Sequence, residues 1–222
     1  NQESYEREVS LEDLTPLEKY LLQNYSSVVG MVGWPAKMCR PDFAQAYSML
    51  SRNLASPGPV NARFLSKLMS YAHSTRDNAM VLSFDNPSPD LDFSDPRVKL
   101  KLIGYSDSNY GDKLDERWRA TTGFCWFLET ICISWRSKRQ DVTADSTFKA
   151  EMLAAHAAFV EGTWLRDLCM ELKLIEPQEP SQFWCDNKST PPLKYVWEGC
   201  RRAFRVLPRR GVDLHWRVRQ IG

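Results

Sequence analysis

The chain has 222 residues, 43% of them hydrophobic and 26% charged, which is enough to bury a core in one or two domains. Its 8 Trp, 10 Phe and 8 Tyr exclude a disordered low-complexity chain. The most apolar stretch, 120–135, contains Glu129 and Thr130 and falls short of the ~20 residues a bilayer span requires, so no membrane partner is expected.

The formal charge of +1 hides a gradient. Residues 1–24 sum to −4, whereas 198–222 carry seven arginines against Glu198 and Asp213 and sum to +5. That basic end is a candidate phosphate-facing surface, with Arg201, Arg202 and Arg205 in it; a solvated face is the alternative reading. Six cysteines show no C-x-x-C pair, and a reducing, intracellular compartment is expected rather than a disulfide framework. No positively charged, then apolar, leader opens the chain and its first residue is not Met, so a fragment or processed product is expected.

In chain order, 15–80 reads as helical. Leu17, Leu21, Tyr25, Val28 and Val32 recur at helical spacing, and after Pro41 so do Phe43, Tyr47, Leu50 and Leu54. Ser56-Pro57-Gly58-Pro59 stops that helix, and Leu65, Leu68 and Ala72 begin another stripe. His73 stands alone there and reads as a packed or solvated residue. A polar, proline-rich linker over 85–97 separates this helical subdomain, 1–84, from a second block, 98–222.

The second block changes rhythm. Residues 98–106 read as a strand leading to Asp107, and 122–128 and 131–136 as two more, joined in a hairpin at Glu129-Thr130. A long helix begins near Thr147, and Leu153, Ala157, Val160, Trp164, Leu168 and Leu172 are its expected apolar stripe. Residues 181–185 are a fourth strand, followed by Asp186, and a further helix is expected from Pro191 and Pro192. Strands, long helix, strand and helix point to an α/β layer fold behind an N-terminal helical subdomain.

Three carboxylates are the candidates for chemistry. If the first and fourth strands are neighbours, Asp107 and Asp186 lie side by side, and the start of the long helix brings Glu151 to them. Clustered carboxylates repel one another unless a cation neutralises them, and oxygen-only ligands favour Mg²⁺ or Mn²⁺. Two such ions ~3.5–4 Å apart form the known clamp for in-line phosphodiester cleavage. Acids after strands are also ordinary turn residues, and spacing alone leaves that reading open.

Several segments carry a family resemblance, in order along the chain. Gly104-Tyr105-Ser106-Asp107-Ser108-Asn109-Tyr110-Gly111-Asp112 resembles the opening strand of the RNase H domain in copia-type LTR-retrotransposon polyproteins. Arg119-Ala120-Thr121-Thr122-Gly123-Phe124 resembles its second strand, and Ile133-Ser134-Trp135-Arg136-Ser137-Lys138-Arg139-Gln140 its "ISWxSKKQ" strand and exit. The stretch from Ser146-Thr147 through Ala150-Glu151 to Trp164-Leu165-Arg166 resembles its "SSTEAEY…WLR" helix, and Cys185-Asp186-Asn187-Lys188-Ser189 its "CDNQSA" turn. Upstream, Tyr25-Ser26-Ser27-Val28-Val29-Gly30 and Arg40-Pro41-Asp42-Phe43-Ala44 resemble the tail of the same family's reverse transcriptase.

The resemblance implies an RNase H-like fold, a five-stranded mixed sheet flanked by helices. It implies hydrolysis of the RNA strand of an RNA–DNA hybrid by a two-metal mechanism, with Mg²⁺ or Mn²⁺ held by Asp107, Glu151 and Asp186. Asn187 and Ser189 are candidates for backbone or hydroxyl contacts to the nucleic acid, and Asn and Ser at this point equally suit a helix N-cap. The chain also departs from the family: it stops at Gly222 before the segment carrying a fourth Asp, and Phe148-Lys149 make the Glu151 motif one residue longer. The reverse-transcriptase palm is absent, so no polymerase activity is expected. Three expectations follow: a metal-dependent endonuclease, a catalytically inactive hybrid- or RNA-binding module, or a domesticated scaffold docking a protein partner through Trp118, Trp197 and Trp216.

Overall fold

A computed structural model describes residues 9–79, 99–110, 118–185, 204–208 and 219–220; for 79, 204–208 and 219–220 only the backbone is described. The chain divides into two compact units, Asn1–Met80 with Arg217–Gly222, and Val81–Trp216. The linker expected over 85–97 lies outside the described residues.

In the first unit, α1 (Pro16–Gln23) opens on a capping box: the Glu18 N–H donates to Thr15 Oγ1 and the Thr15 N–H to Glu18 Oε2. The helix breaks at Asn24, and α2 (Tyr25–Met38), α3 (Ala44–Leu50) and α4 (Pro59–Ser74) follow. Their core is Leu21, Tyr25, Val28, Val29, Val32, Phe43, Leu50, Leu65 and Leu68. Leu17 and Leu54, expected in the apolar stripes, are exposed. The buried stripe of α2 continues into α1 only as far as Leu21, and Leu54 lies beyond the last turn of α3. A short strand, β1 (Asn78–Ala79), pairs antiparallel with β7 (Arg219–Gln220). That pairing joins Arg219–Gln220 to the helical unit.

The second unit is α/β. Strands β2 (Leu102–Asn109), β3 (Thr121–Leu128) and β4 (Ile131–Arg139) form an antiparallel meander, turning at Glu129, which takes φ of 53°. Helix α5 (Thr147–Glu171) then leads to β5 (Ser181–Cys185), which lies parallel to β2, and β6 (Phe204–Pro208) lies parallel to β5. The strand order β4-β3-β2-β5-β6, with these directions, is that of the RNase H-like fold. The fifth strand, which pattern reading did not locate, is β6.

Helix α5 corrects one expectation. Val160, Trp164 and Leu172 are about 60% exposed, and the buried face is instead Ala150, Glu151, Ala154, Ala155, Ala158, Phe159, Gly162, Leu165, Arg166 and Cys169. The sheet supplies the bulk from its own side, through Phe124, Trp126 and Phe183, so the helix must present small residues to approach it. Phe159 stacks on Phe183 with ring centroids 4.4 Å apart, and Trp126 Nε1 donates to the Ala158 carbonyl at 3.0 Å. At the far end of α5 the buried Arg166 guanidinium donates to Ser181 Oγ (2.9 Å) and the Pro177 carbonyl (2.8 Å), which ties the helix to the start of β5. Desolvation lowers its pKa from the ordinary arginine value.

Among the described residues no helix is long and apolar enough to cross a membrane. Cys39, Cys132 and Cys169 are free thiols, the last two buried. Burial pushes Cys132 up to about 12.

Candidate functional site

The sheet's central strands create the site. Strand β2 pairs with β5 from Ile103↔Gln182 to Ser106↔Cys185, so the last paired residue of β2 directly precedes Asp107 in the sequence and the last residue of β5 directly precedes Asp186. The neighbour relationship on which the carboxylate cluster depends is therefore present in the backbone. Asp186 itself lies outside the described residues, as do Asn187, Ser189, Arg201, Arg202, Trp197 and Trp216. Arg205 is in β6, of which only the backbone is described. Trp118 is 57% exposed.

Asp107 and Glu151 come together through one residue. Along β2, Leu102, Gly104 and Ser106 are buried while Asp107 is exposed, as strand alternation requires. Glu151, by contrast, sits on the buried face of α5 at 8% exposure. The Ser108 N–H is shared between them, donating to Asp107 Oδ1 at 2.9 Å and to Glu151 Oε1 at 3.2 Å, and Ser108 Oγ also donates to Glu151 Oε1 at 2.8 Å. The two carboxylate oxygens thus lie no further apart than the sum of those two N–H distances. Two carboxyl groups around one amide N–H gather their oxygens at one spot, and the Ser108 hydroxyl offsets part of the cost of placing Glu151 in a buried position.

The first turn of α5 is fixed from below. Ser146 caps it, its Oγ accepting from the Lys149 N–H at 3.3 Å. The longer spacing around Phe148-Lys149 leaves Glu151 facing the sheet, because the helix starts at Thr147 and carries Ala150, Glu151, Ala154 and Ala155 onto one buried arc. Gln140, just past β4 and 7% exposed, donates from its side-chain amide to Thr122 Oγ1 (3.1 Å) and to the Ala150 carbonyl (2.9 Å). Two residues that sequence reading did not single out, Ser108 and Gln140, therefore hold the framework of the site. Both lie inside the family-like motifs, yet nothing in their spacing reveals contacts across 43 and 10 positions.

The donor set is all oxygen. Asp107 is accessible and Glu151 is fixed beside it, a chemistry suited to Mg²⁺ or Mn²⁺ rather than to a thiolate- or imidazole-binding metal. Among the described residues no three Asp, Glu, His or Cys side chains converge on one point; Asp107 and Glu151 are the two carboxylates of the proposed trio that fall within them.

No family model matches the chain. Over 141 residues it is 32% identical to secreted RxLR effector protein 161 of Plasmopara viticola, covering 64% of this chain and 90% of that protein. Over 169 residues it is 31% identical to the retrovirus-related Pol polyprotein from transposon TNT 1-94 of Nicotiana tabacum, covering 76% of this chain. The chain spans only 12% of that polyprotein. Among solved structures it is similar to a foamy viral protease-reverse transcriptase in complex with RNA/DNA hybrid, with 12% identity over 94% of this chain and 29% of that one. The TM-score is 0.46. The chain belongs to the family of the retrovirus-related Pol polyproteins of copia-type transposons, of which it matches a segment.

Proposed function

We propose that the α/β unit is a ribonuclease H-type endonuclease that hydrolyses the RNA strand of an RNA–DNA hybrid. The observation that carries this reading is the joint hold of Ser108 on Asp107 and Glu151, beside the strand end from which Asp186 follows. Asp107, Glu151 and Asp186 would hold Mg²⁺ or Mn²⁺. Such ions, when bound, activate water and stabilise the leaving oxygen of a phosphodiester. The protein's own part is to fix the carboxylates: the sheet register sets Asp107, α5 sets Glu151, and Ser108 links them. The arginine-rich end, with Arg201, Arg202 and Arg205, would bear on phosphates, and Asn187 and Ser189 on the hybrid.

A second reading keeps the fold and drops the cleavage, leaving a domesticated module that binds nucleic acid or protein. It draws support from the Plasmopara viticola relative, whose name is that of a secreted effector and nine-tenths of whose length is covered.

The test is a labelled RNA–DNA duplex with Mg²⁺ or Mn²⁺, run with the wild-type chain and with Asp107→Asn. The expected result is cleavage of the RNA strand that falls by at least about 100-fold in the variant, since even outer partners of metal ligands are worth 10–100-fold. Absence of cutting by the wild type, or equal cutting by both proteins, overturns the nuclease reading. Salt-sensitive binding unchanged by Asp107→Asn would then favour the binding module.

A further inference from the structure

We propose that Gln140 is a positioning residue for Glu151, clamping the first turn of α5 to the sheet so that the Glu151 carboxylate meets Ser108 and Asp107. This rests on the reading of the site as a metal-dependent nuclease centre. Gln140 touches neither carboxylate by any described contact. It acts one residue away, through the Ala150 carbonyl, to which its side-chain amide donates at 2.9 Å. Its second amide hydrogen goes to Thr122 Oγ1 at 3.1 Å, and Thr122 is the register partner of Ser108 on β3. Its backbone N–H donates to the Ala120 carbonyl at 2.8 Å, so the clamp is itself anchored to the strand entering the sheet.

A carbonyl can only accept, so the Ala150 contact fixes which way the Gln140 amide points. That orientation leaves Gln140 Oε1 buried with no hydrogen-bond partner among the described residues. A buried, unsatisfied acceptor is a cost that an apolar side chain of similar shape would avoid. The amide earns its place by what its NH₂ does. An α-helix turns ~100° per residue, so a slip of one position at Ala150 would swing Glu151 off Ser108. The chain from Thr122 through Gln140 to Ala150 resists that slip, and Ser108, opposite Thr122, receives the carboxylate.

The experiment uses the full chain and three readouts. Amide hydrogen exchange follows the Ser108 N–H, calorimetry follows Mn²⁺ affinity, and the hybrid assay follows cleavage. Gln140→Leu is expected to speed Ser108 exchange selectively, leaving the amides of the Phe159 turn of α5 protected, and to weaken Mn²⁺ binding about tenfold, the scale of a lost outer partner. In a Glu151→Gln background the same change is expected to shift Mn²⁺ affinity less than about twofold, because the two act through one group. Thr122→Val, which keeps the shape and removes the acceptor, is expected to move Ser108 exchange in the same direction, and it decides the matter if Gln140→Leu does not fold.

Unchanged Ser108 exchange in the folded variants overturns the proposal. So does a loss of Mn²⁺ affinity that is equal with and without Glu151, which would mark a merely structural role. A wild-type chain that neither binds Mn²⁺ nor cuts hybrid, while Ser108 exchange still responds to Gln140→Leu, would sink the nuclease reading and leave the positioning role standing.

Discussion

Gly162 of α5 lies so close to Trp126 of β3 that a Cβ there would fall 2.1 Å from the indole Cζ2. The same ring meets Gly104 of β2, where a Cβ would lie 2.5 Å from Cη2. Two glycines from distant parts of the chain thus clear the space for one fully buried tryptophan.

Gly162→Ala therefore reverses the usual helix rule. In an exposed helix the change gains about 1 kcal/mol. Here the methyl must displace a rigid ring, and a net loss of about 1–3 kcal/mol is expected, the range for overpacked cores. Urea denaturation of the two proteins checks it, and a more stable Ala variant would contradict the packing described.

The inverted face of α5 gives a paired prediction. Trp164→Ser, at a 60% exposed position, should change stability by no more than about 0.5 kcal/mol. Phe159→Ala, at 1% exposure against Phe183, should cost about 3–5 kcal/mol. Chemical denaturation of both variants decides between this arrangement and the stripe expected from residue size; a larger loss at Trp164 would restore the stripe.

Tyr25 makes the helical unit sensitive to alkali. It is buried, donates from its hydroxyl to the Leu50 carbonyl at 2.9 Å, and burial raises its pKa from 10.0 to about 12. The native state holds its proton more tightly than the unfolded chain does. Its contribution is therefore complete below pH 10 and lost as pH rises towards 12, at up to about 1.4 kcal/mol per pH unit. Unfolding monitored by circular dichroism should show this slope, and Tyr25→Phe should flatten it. An identical slope in Tyr25→Phe would place the alkaline sensitivity elsewhere.

Much of the fold was legible because local signals and tertiary packing agreed. Strand β5 has the limits read from its sequence, the hairpin turns at Glu129-Thr130, and the long helix starts at Thr147 under a Ser146 cap. The disagreements have a shared cause. Size patterning assigns bulky residues to the interior, yet α5 meets a sheet already filled by Trp126 and Phe183, so Ala and Gly go inside and Trp164 outside. Strand β2 starts at Leu102 rather than at 98, since pairing with β3 begins at Leu102↔Leu128. At the site, Asp107 and Glu151 were visible as acids within quoted motifs. Ser108 and Gln140 were not, because their significance lies in partners that only the folded sheet supplies.

The parallel pairing of β2 with β5 governs when the carboxylate site can be assembled during synthesis. A ribosome that has delivered 102–139 has released a meander whose β2 edge is bare, and that edge waits until Ser181–Cys185 emerges. Bringing Ile103 to Gln182 closes a long stretch of chain before any contact rewards it, which slows the step. In the interval the uncovered edge is a template for pairing with other nascent chains, so aggregation during translation is the hazard this topology carries.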